Sequence, residues 1–226
     1  MERTDDLGGG YRLTQDTDQF CFGQDSVLLA KFAHLHPGDR VVDLCAGNGA
    51  ISMLLCAQYP DITVTGVELQ KPVCRLAMRN AVQNGLQDRL AFVCGDIRTI
   101  ATLLPPAQTD AVVCNPPYRK PGSGRVNPSD TKAIARFELC MALDDVFSSA
   151  AHVLSPGGQL YLVHLPDRLC DCLCGMRAHG LEPKRVQFVH PAAGKAAAWV
   201  LIEAVYGGKP GLDCPAPIII CQEGVS

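Results

Sequence analysis

Short apolar runs alternate with segments of helical periodicity along most of this 226-residue chain. Five runs have the length and apolar content of buried strands: Arg40–Cys45, Ile62–Val67, Leu90–Cys94, Asp110–Cys114 and Gln159–Leu165. The segments with helical spacing are Asp25–Leu35, Ala50–Tyr59, Lys71–Asn84, Thr131–Leu154 and Asp167–His179. Strands that alternate with helices in this order form a mostly parallel sheet with helices on both faces, so the sequence predicts an α/β fold.

The C-terminal part of the chain departs from this alternation. Two strand-like runs, Pro183–His190 and Ala198–Tyr206, follow one another without a helical segment between them. A hairpin at this point adds one antiparallel strand to an otherwise parallel sheet. We expect residues 1–36 to form an N-terminal extension with a lid helix, residues 37–206 to form the main domain, and residues 207–226 to form a tail.

The composition limits the class of partner and the compartment. The net charge is −3, so a nucleic-acid partner requires a local basic patch rather than the charge of the whole protein. No apolar run is long enough to cross a bilayer, and the start of the chain is unlike a signal peptide, so we expect a soluble, cytoplasmic protein without a membrane partner. The 12 cysteines are interpreted as reduced thiols, with no metal site.

Polar residues stand where four of the predicted strands end: Asp43, Glu68, Asp96 and Asn115. In open parallel sheets, ligands bind at the carboxyl ends of the strands. The glycines of Asp43–Gly49 allow a tight turn and the close approach of a ligand. Ser52 stands where the dinucleotide-binding fingerprint has its third glycine, which disfavours a nicotinamide dehydrogenase.

Two of these carboxylates suit a nucleoside. Glu68 can accept hydrogen bonds from both hydroxyls of a ribose, although an ordinary solvated carboxylate looks the same in sequence. Asp96 can accept from the exocyclic amine of an adenine, and it can equally cap the helix predicted to begin near Ile97. The two roles of Asp96 are compatible with each other.

The tetrapeptide Asn115–Tyr118 indicates chemistry at a planar nitrogen. The side-chain oxygen of Asn115 and the carbonyl of Pro116 can converge as two acceptors, and Pro116 and Pro117 fix the backbone and remove donors. Two acceptors that hold the hydrogens of an sp² amine stabilise the positive charge that develops as the nitrogen attacks an electrophile. Tyr118 offers an aromatic face for a planar substrate. A proline-rich turn after a strand is the structural alternative.

At these residues the sequence resembles the Rossmann-like class I S-adenosylmethionine-dependent methyltransferases, over about Gly38 to Tyr206. The resemblance implies S-adenosylmethionine as cofactor, with contacts from Asp43, Cys45, Gly47, Gly49, Glu68, Asp96, Ile97 and Asn115. The family loop usually has glycine where Cys45 stands, and a cysteine can serve there if the backbone has ordinary β dihedrals. The tetrapeptide resembles the motif shared by adenine-N6, cytosine-N4 and glutamine-N5 methyltransferases.

The flanking segments resemble those of bacterial tRNA1(Val) adenine-N6 methyltransferases: Asp25–Leu29, Arg119–Pro128, Ala135–Glu138 and Val200–Leu212. The resemblance implies tRNA as partner and methyl transfer to N6 of adenosine-37, just 3′ of the anticodon of tRNA(Val). An unpaired base in an anticodon loop is also cheaper to present in a pocket than a stacked duplex base.

A basic segment follows the tetrapeptide and suits RNA phosphates if it lies beside the reacting nitrogen. Its basic residues are Arg119, Lys120, Arg125, Lys132 and Arg136. Lys184, Arg185 and Lys195 are candidates to extend this patch, and a solvated loop is the alternative for the whole set.

Two other functions remain open from the sequence. The first is a protein glutamine-N5 methyltransferase that acts on a release factor with the same pocket. The second is a non-catalytic RNA-binding protein that keeps the fold. The oligomeric state, monomer or homodimer, is not decided by any pattern in the chain.

Overall fold

The computed structural model of the protein describes residues 2–16, 23–117 and 143–221. Its strands are β1 (Glu2–Gly8), β2 (Tyr11–Asp16), β3 (Arg40–Leu44), β4 (Thr63–Glu68), β5 (Leu90–Cys94), β6 (Thr109–Cys114), β7 (Leu154–His164), β8 (Leu181–Ala192), β9 (Trp199–Tyr206) and β10 (Ile218–Cys221). Its α-helices are α1 (Gln24–Phe32), α2 (Ala50–Gln58), α3 (Lys71–Gln83), α4 (Ile100–Leu103), α5 (Leu143–Val153) and α6 (Leu169–Ala178). Short 3₁₀ turns, Ile97–Thr99 and Pro166–Arg168, precede α4 and α6.

The main sheet has eight strands in the order β10-β8-β9-β7-β6-β3-β4-β5. Strand β9 pairs antiparallel with both β7 and β8, and the other pairings in this sheet are parallel. The predicted α/β fold, with a C-terminal hairpin that reverses one strand of a mostly parallel sheet, is therefore confirmed.

The pleat of the sheet divides the core into two layers. Val41 and Val113 belong to one cluster of buried residues, and their neighbours Val42 and Val112 belong to the other, as the alternation along a strand requires. Helices α1, α2 and α3 supply the first layer, and α4, α5 and α6 supply the second. In open parallel sheets of this kind, ligands bind at the carboxyl ends of the strands.

Helix α1 occupies the segment predicted as a helix over Asp25–Leu35, and it packs into the main core. Leu29 is fully buried there, and the ring of Phe32 packs edge to face against Tyr161 with 6.2 Å between ring centroids. The apolar side of the helix is thus part of the first core layer. The division of the chain into extension, domain and tail stays a prediction.

Two pieces of β structure lie outside the predicted elements. Strands β1 and β2 form an antiparallel hairpin, and β10 adds an eighth strand at the edge of the sheet beside β8. The β1 sequence, Glu-Arg-Thr-Asp-Asp-Leu-Gly, lacks the apolar alternation of a half-buried strand. The strand conformation of β1 therefore depends on its pairing with β2 and not on the apolar pattern of its own sequence.

Strand β7 also begins earlier than predicted. The segment Ser155–Gly158 was expected to end the preceding helix before a strand at Gln159, whereas β7 starts at Leu154. Its register on β6 shifts between the Leu154 and Gln159 pairings, so the intervening residues bulge out of the ladder. Gly157, with a φ of +85°, allows that excursion. None of the helices in the described ranges is long and apolar enough to cross a membrane.

Candidate active site

Four neighbouring strands bring the predicted site residues to one edge of the sheet. Strands β6, β3, β4 and β5 are adjacent and parallel, with Leu44 opposite both Cys114 and Val67, and Glu68 opposite Cys94. The segments that follow these strand ends therefore start at nearly the same height. This arrangement places the loop after Asp43, together with Glu68, Asp96 and Asn115, at the edge where open parallel sheets form their ligand-binding crevice.

The loop between β3 and α2 is built on left-handed backbone positions. Gly47 has a φ of +57° and Gly49 a φ of +86°. A Cβ at Gly49 would lie 2.7 Å from the Phe92 ring, so only glycine fits there, whereas a Cβ at Gly47 would meet no described atom within 4 Å. Gly49 therefore serves packing as well as the turn, and Gly47 leaves the open space that the approach of a ligand needs.

Cys45 does not have the β dihedrals that were expected to let a cysteine replace the usual glycine of this loop. Its φ is +63°, in the left-handed region, and not in the β region. Side chains other than glycine, asparagine and aspartate adopt this region rarely, at a cost of about 1–2 kcal/mol. Its thiol lies beside that of buried Cys114, and burial, followed by this contact, raises the pKa of Cys114. Cys45 therefore occupies a glycine position under strain.

Asp43 is fully buried beneath the loop. Its Oδ2 accepts a 2.6 Å hydrogen bond from Ser52 Oγ, and its Oδ1 has no hydrogen-bond partner among the described residues. Burial raises the pKa of Asp43 to about 7, against the lowering effect of the Ser52 hydrogen bonds. When it is ionised, this carboxyl places a negative charge beneath the loop, which favours a cationic ligand above it.

Glu68 connects the ends of β3 and β4. Its Oε2 accepts from the backbone N–H of Gly47 at 2.9 Å, and its Oε1 accepts from the backbone N–H of Gln70 at 2.8 Å. The residue is 7% exposed, and burial raises the pKa of this carboxyl although the backbone donors oppose the shift. The backbone N–H of Leu69 also donates to this carboxylate, so one of its four lone-pair sites remains to accept from a ligand hydroxyl.

Asp96 has the capping role that the sequence allowed. It is the N-cap of the 3₁₀ turn Ile97–Thr99, accepts from the backbone N–H of Arg98 at 2.9 Å, and accepts from the Arg98 guanidinium with both oxygens. The hydrogen bond with Arg98 holds the pKa of Asp96 below its usual range. Ile97 is 5% exposed and packs in the second core layer. An adenine amine at Asp96 would share this carboxylate with Arg98.

Asn115, the first residue after β6, is fixed by helix α1. Its amide nitrogen Nδ2 donates to Asp25 Oδ2 at 3.1 Å and to Ser26 Oγ at 3.2 Å. Asp25 is itself 5% exposed, and its Oδ1 accepts from the backbone N–H of Ser26 at 2.9 Å. With the nitrogen end of the amide committed to these acceptors, the oxygen end is turned away from them. The predicted role of Asn115 as an acceptor for a substrate amine stays a prediction.

The residue-level sequence argument did not identify Asp25 and Ser26 as partners of Asn115. Both lie in Asp25–Leu29, the segment whose resemblance to the tRNA methyltransferases was noted, but the pattern there indicated only a helix. Their partner is 90 residues away in the chain. A polar pair at the start of an apolar helix is the available signal, and it is a weak one because such residues are common in first turns.

The rest of the predicted catalytic and RNA-binding set lies partly outside the described residues. Pro116 is buried and Pro117 half-buried at the end of β6. The predicted residues outside the described ranges are Tyr118, Arg119, Lys120, Arg125, Lys132 and Arg136. Their roles stay predictions.

Arg185, a candidate to extend the basic patch, makes contacts at the junction of helix α1 with the sheet. Its guanidinium stacks 3.8 Å from the centre of the Phe32 ring, lies 2.9 Å from a Glu203 carboxylate oxygen and donates to the carbonyl of Phe32. These contacts commit the charge to the junction of α1 with the sheet. Lys184 donates to the backbone carbonyl of Lys209.

Comparisons with known proteins identify the relatives of this chain. The family model described as methyltransferase small domain matches residues 21–170. A Porphyromonas gingivalis protein named tRNA1(Val) (adenine(37)-N6)-methyltransferase is 30% identical over 187 residues, which cover 80% of this chain and 72% of that protein. A Bordetella pertussis protein named ribosomal protein uL3 glutamine methyltransferase is 30% identical over 130 residues, which cover 55% of this chain and 43% of that protein.

Among solved structures, a predicted O-methyltransferase from Agrobacterium tumefaciens superposes with a TM-score of 0.73. The two chains are 23% identical, and the match covers 88% of this chain and 89% of the other. At that identity the likeness shows the fold. The family match establishes that this chain belongs to the methyltransferase small domain family, and the structural likeness shows that it has the fold of class I methyltransferases.

Proposed function

We propose that the protein transfers a methyl group to the exocyclic N6 of an adenosine in tRNA, namely adenosine-37 of tRNA(Val). The observation that carries the proposal is the fixed amide of Asn115, whose nitrogen is held by Asp25 and Ser26 at the end of β6. An acceptor held at this point favours a substrate with an N–H, and hence an amino group, over one with only acceptor atoms.

The residues around the crevice fit S-adenosylmethionine. The buried Asp43 carboxyl has an oxygen without a described partner, and Gly47 has open space on its side-chain side. Asp43 would meet the positively charged methionine end, Glu68 the ribose hydroxyls, and Asp96 the adenine. When bound, this cofactor supplies an electrophilic methyl group. The donor set therefore suits both the charge and the sugar of the cofactor.

Asn115 performs the positioning that the reaction needs. Its side-chain oxygen, together with the Pro116 carbonyl, holds the two hydrogens of the substrate amine and stabilises the positive charge that grows on its nitrogen. Asp25 acts through Asn115 as a positioning residue, because it keeps the amide from turning its nitrogen toward the substrate. Once methylated, the nitrogen is acidic enough to lose a proton to water, so no strong general base is required.

Adenosine in tRNA is the proposed substrate for two reasons. The Porphyromonas gingivalis relative, which covers most of this chain, carries that specificity in its name. The segment after Tyr118 is also basic, with five Lys or Arg residues between Arg119 and Arg136 against one acid, Asp130. In a chain with a net charge of −3, such a local patch is the means to hold RNA phosphates. The proposed site of action is the cytoplasm, with tRNA as partner.

Labelled methyl donor and bulk tRNA from cells that lack the modification test the proposal. After incubation with the protein, the tRNA is digested to nucleosides and the label is located by chromatography. We expect the label in N6-methyladenosine. Label confined to another nucleoside would overturn the base assignment, and label absent from the RNA would overturn the substrate class.

A second function, methylation of a glutamine side chain in a protein, is favoured by the Bordetella pertussis relative. The same acceptor pair could hold the amide nitrogen of a glutamine. This function predicts label in protein that survives treatment with RNase and persists with a ribosomal protein or release factor as sole substrate. The shorter match of that relative makes this the less supported proposal.

A further inference from the structure

We infer that the N-terminal hairpin, strands β1 and β2, sets cofactor affinity by bracing the β3–α2 loop, with Gln15 as the positioning residue. The inference rests on the proposed cofactor site and concerns residues that take no part in the predicted chemistry. It follows from a buried polar network between the hairpin, helix α3 and the loop.

Asn80 of α3 and Asn84, the C-cap residue of that helix, make the backbone hydrogen bonds to β2 that a neighbouring strand would otherwise make. Asn84 accepts from the backbone N–H of Arg12 at 2.7 Å and donates to its carbonyl at 2.7 Å. Asn80 accepts from the backbone N–H of Thr14 at 3.0 Å and donates to its carbonyl at 2.9 Å. Residues four apart on a helix are separated by about 6 Å, which matches the spacing of alternate strand residues. The hairpin is therefore held in register on α3.

At the end of the hairpin that lies near the β3–α2 loop, the same network of hydrogen bonds includes Asn48. Asn80 Nδ2 also donates to the backbone carbonyl of Asn48 at 3.0 Å, and Asn48 Nδ2 donates to Gln15 Oε1 at 3.2 Å. Gln15 in turn donates to Asp5 of β1. Gln15 and Asn80 are fully buried, and Asn48 is 7% exposed. Because a buried amide without its partner is costly, these contacts specify one position for the loop.

Asn48 lies directly between the two glycines of the loop, and its neighbour Gly47 donates to Glu68 at 2.9 Å. A shift of Asn48 therefore moves the N–H that orients the predicted ribose-binding carboxylate. Three residues of this loop have positive φ, and its two glycines can adopt other backbone conformations as readily, so the loop sequence alone does not fix this shape. The hairpin supplies the missing constraint, and a preformed loop binds its ligand more tightly than a mobile one.

A Gln15→Ala variant is expected to fold. A cleft of about 430 Å³ between the hairpin and α3, lined by Glu2, Asp16 and Arg79 among others, reaches Asn48 from outside. Water can therefore replace the lost amide contact without collapse of the core. What is lost is the fixed position of the loop.

The chain offers a matched control in Asn84→Ala. This change removes the same kind of contact between hairpin and helix, but at the Arg12 end, away from Asn48. Binding of S-adenosylmethionine is measured by calorimetry, and amide hydrogen exchange of residues 45–49 is measured in the cofactor-free protein. We expect Gln15→Ala to raise the Kd about tenfold, which corresponds to about 1.4 kcal/mol, and to speed exchange in the loop. Asn84→Ala should leave both near wild type.

An unchanged Kd and loop exchange in Gln15→Ala would overturn the inference, and so would an equal weakening in both variants. If Gln15→Ala does not fold, the partly exposed Asp5→Ala tests the same link, with a smaller change in the same direction expected and no change contradicting it. Failure of the wild-type protein to bind S-adenosylmethionine would instead overturn the cofactor site, and the inference with it. Transfer to tRNA does not enter these measurements, so the substrate proposal is tested separately.

Discussion

The amide nitrogen of Asn115 lies 3.1 Å from a carboxylate oxygen of Asp25, which joins the end of β6 to the first turn of α1. The contact decides which end of the amide faces the crevice. A carboxylate can only accept, so the asparagine must direct its N–H groups toward α1 and its oxygen elsewhere. A motif that is contiguous in sequence thus depends on a residue 90 positions earlier.

Removal of the Asn115 side chain should abolish most of the activity. In Asn115→Ala the substrate amine loses one of two acceptors, and loss of one such preorganised partner lowers kcat by about 100-fold or more. The measurement is kcat with tRNA and S-adenosylmethionine both saturating. Wild-type transfer under those conditions would show that Asn115 does not position the amine.

Asp25→Ala should lower kcat while leaving the KM for S-adenosylmethionine nearly unchanged. Without the carboxylate, the amide can turn its nitrogen toward the substrate, and misplacement of a positioning group costs between about 10-fold and 100-fold. Asp110→Asn is the control, because Asp110 pairs with Arg40 at the other end of the sheet. The assignment fails if the control loses as much kcat as Asp25→Ala, or if Asp25→Ala loses none.

Cofactor affinity should rise with pH through neutrality. Burial raises the pKa of Asp43 to about 7, so in the cofactor-free protein the carboxyl is largely neutral at pH 6 and ionised at pH 8. Only the ionised form attracts the cationic cofactor. Calorimetric titrations with S-adenosylmethionine between pH 6 and 8 should show the Kd of the wild type falling as the pH rises. The Asp43→Asn variant should bind more weakly, and its Kd should change less with pH. An identical pH profile in the variant would exclude Asp43 as the group responsible.

The same pKa shift predicts the sign of a stability change. An unfolded chain releases the Asp43 proton near its ordinary pKa of 3.8, whereas the folded protein keeps it until about pH 7. The folded state therefore binds more protons between about pH 4 and 7, and the contribution of Asp43 to the free energy of unfolding falls as pH rises through that window. Urea unfolding of wild type and Asp43→Asn should diverge there, and parallel profiles would contradict the shift.

Cys45→Gly should stabilise the protein. Glycine adopts a φ of +63° without steric cost, so relief of the strain at this position is worth about 1 kcal/mol after the greater flexibility of the unfolded chain is allowed for. Cys45→Val should destabilise the protein, since a β-branched residue is the least suited to a positive φ. Urea unfolding should order the three proteins as glycine, cysteine, valine; a valine variant as stable as wild type would show that the position carries no strain.

Periodicity was sufficient to predict the sheet, because β3 to β6 are apolar runs long enough to be buried between two helical layers. The placement of Asp43, Glu68, Asp96 and Asn115 around one crevice followed from that prediction, since parallel strands end at one edge. The hairpin could not be predicted in the same way. Its β1 strand is charged, and the side chains that hold β2 in place come from the distant Asn80 and Asn84.

Sequence patterns also could not predict the φ angle of Cys45 or the hydrogen bonds that hold the Asn115 side chain, for a different reason. Both depend on three-dimensional neighbours that no local spacing encodes. The left-handed backbone at Cys45 lies in a loop that is also held through the Gly47–Glu68 contact, and Asn115 is oriented by an acid from another element.

The central claim, that Asn115 and its surroundings bind the exocyclic amine of an adenosine in the anticodon loop, is tested most directly with two synthetic RNAs. Both are anticodon stem–loops of tRNA(Val), one with adenosine at position 37 and the other with purine riboside, which lacks the N6 amine. With labelled S-adenosylmethionine, we predict stoichiometric label in N6-methyladenosine from the first RNA and none from the second. Equal label in both RNAs, or label in any nucleoside other than N6-methyladenosine, would contradict the account.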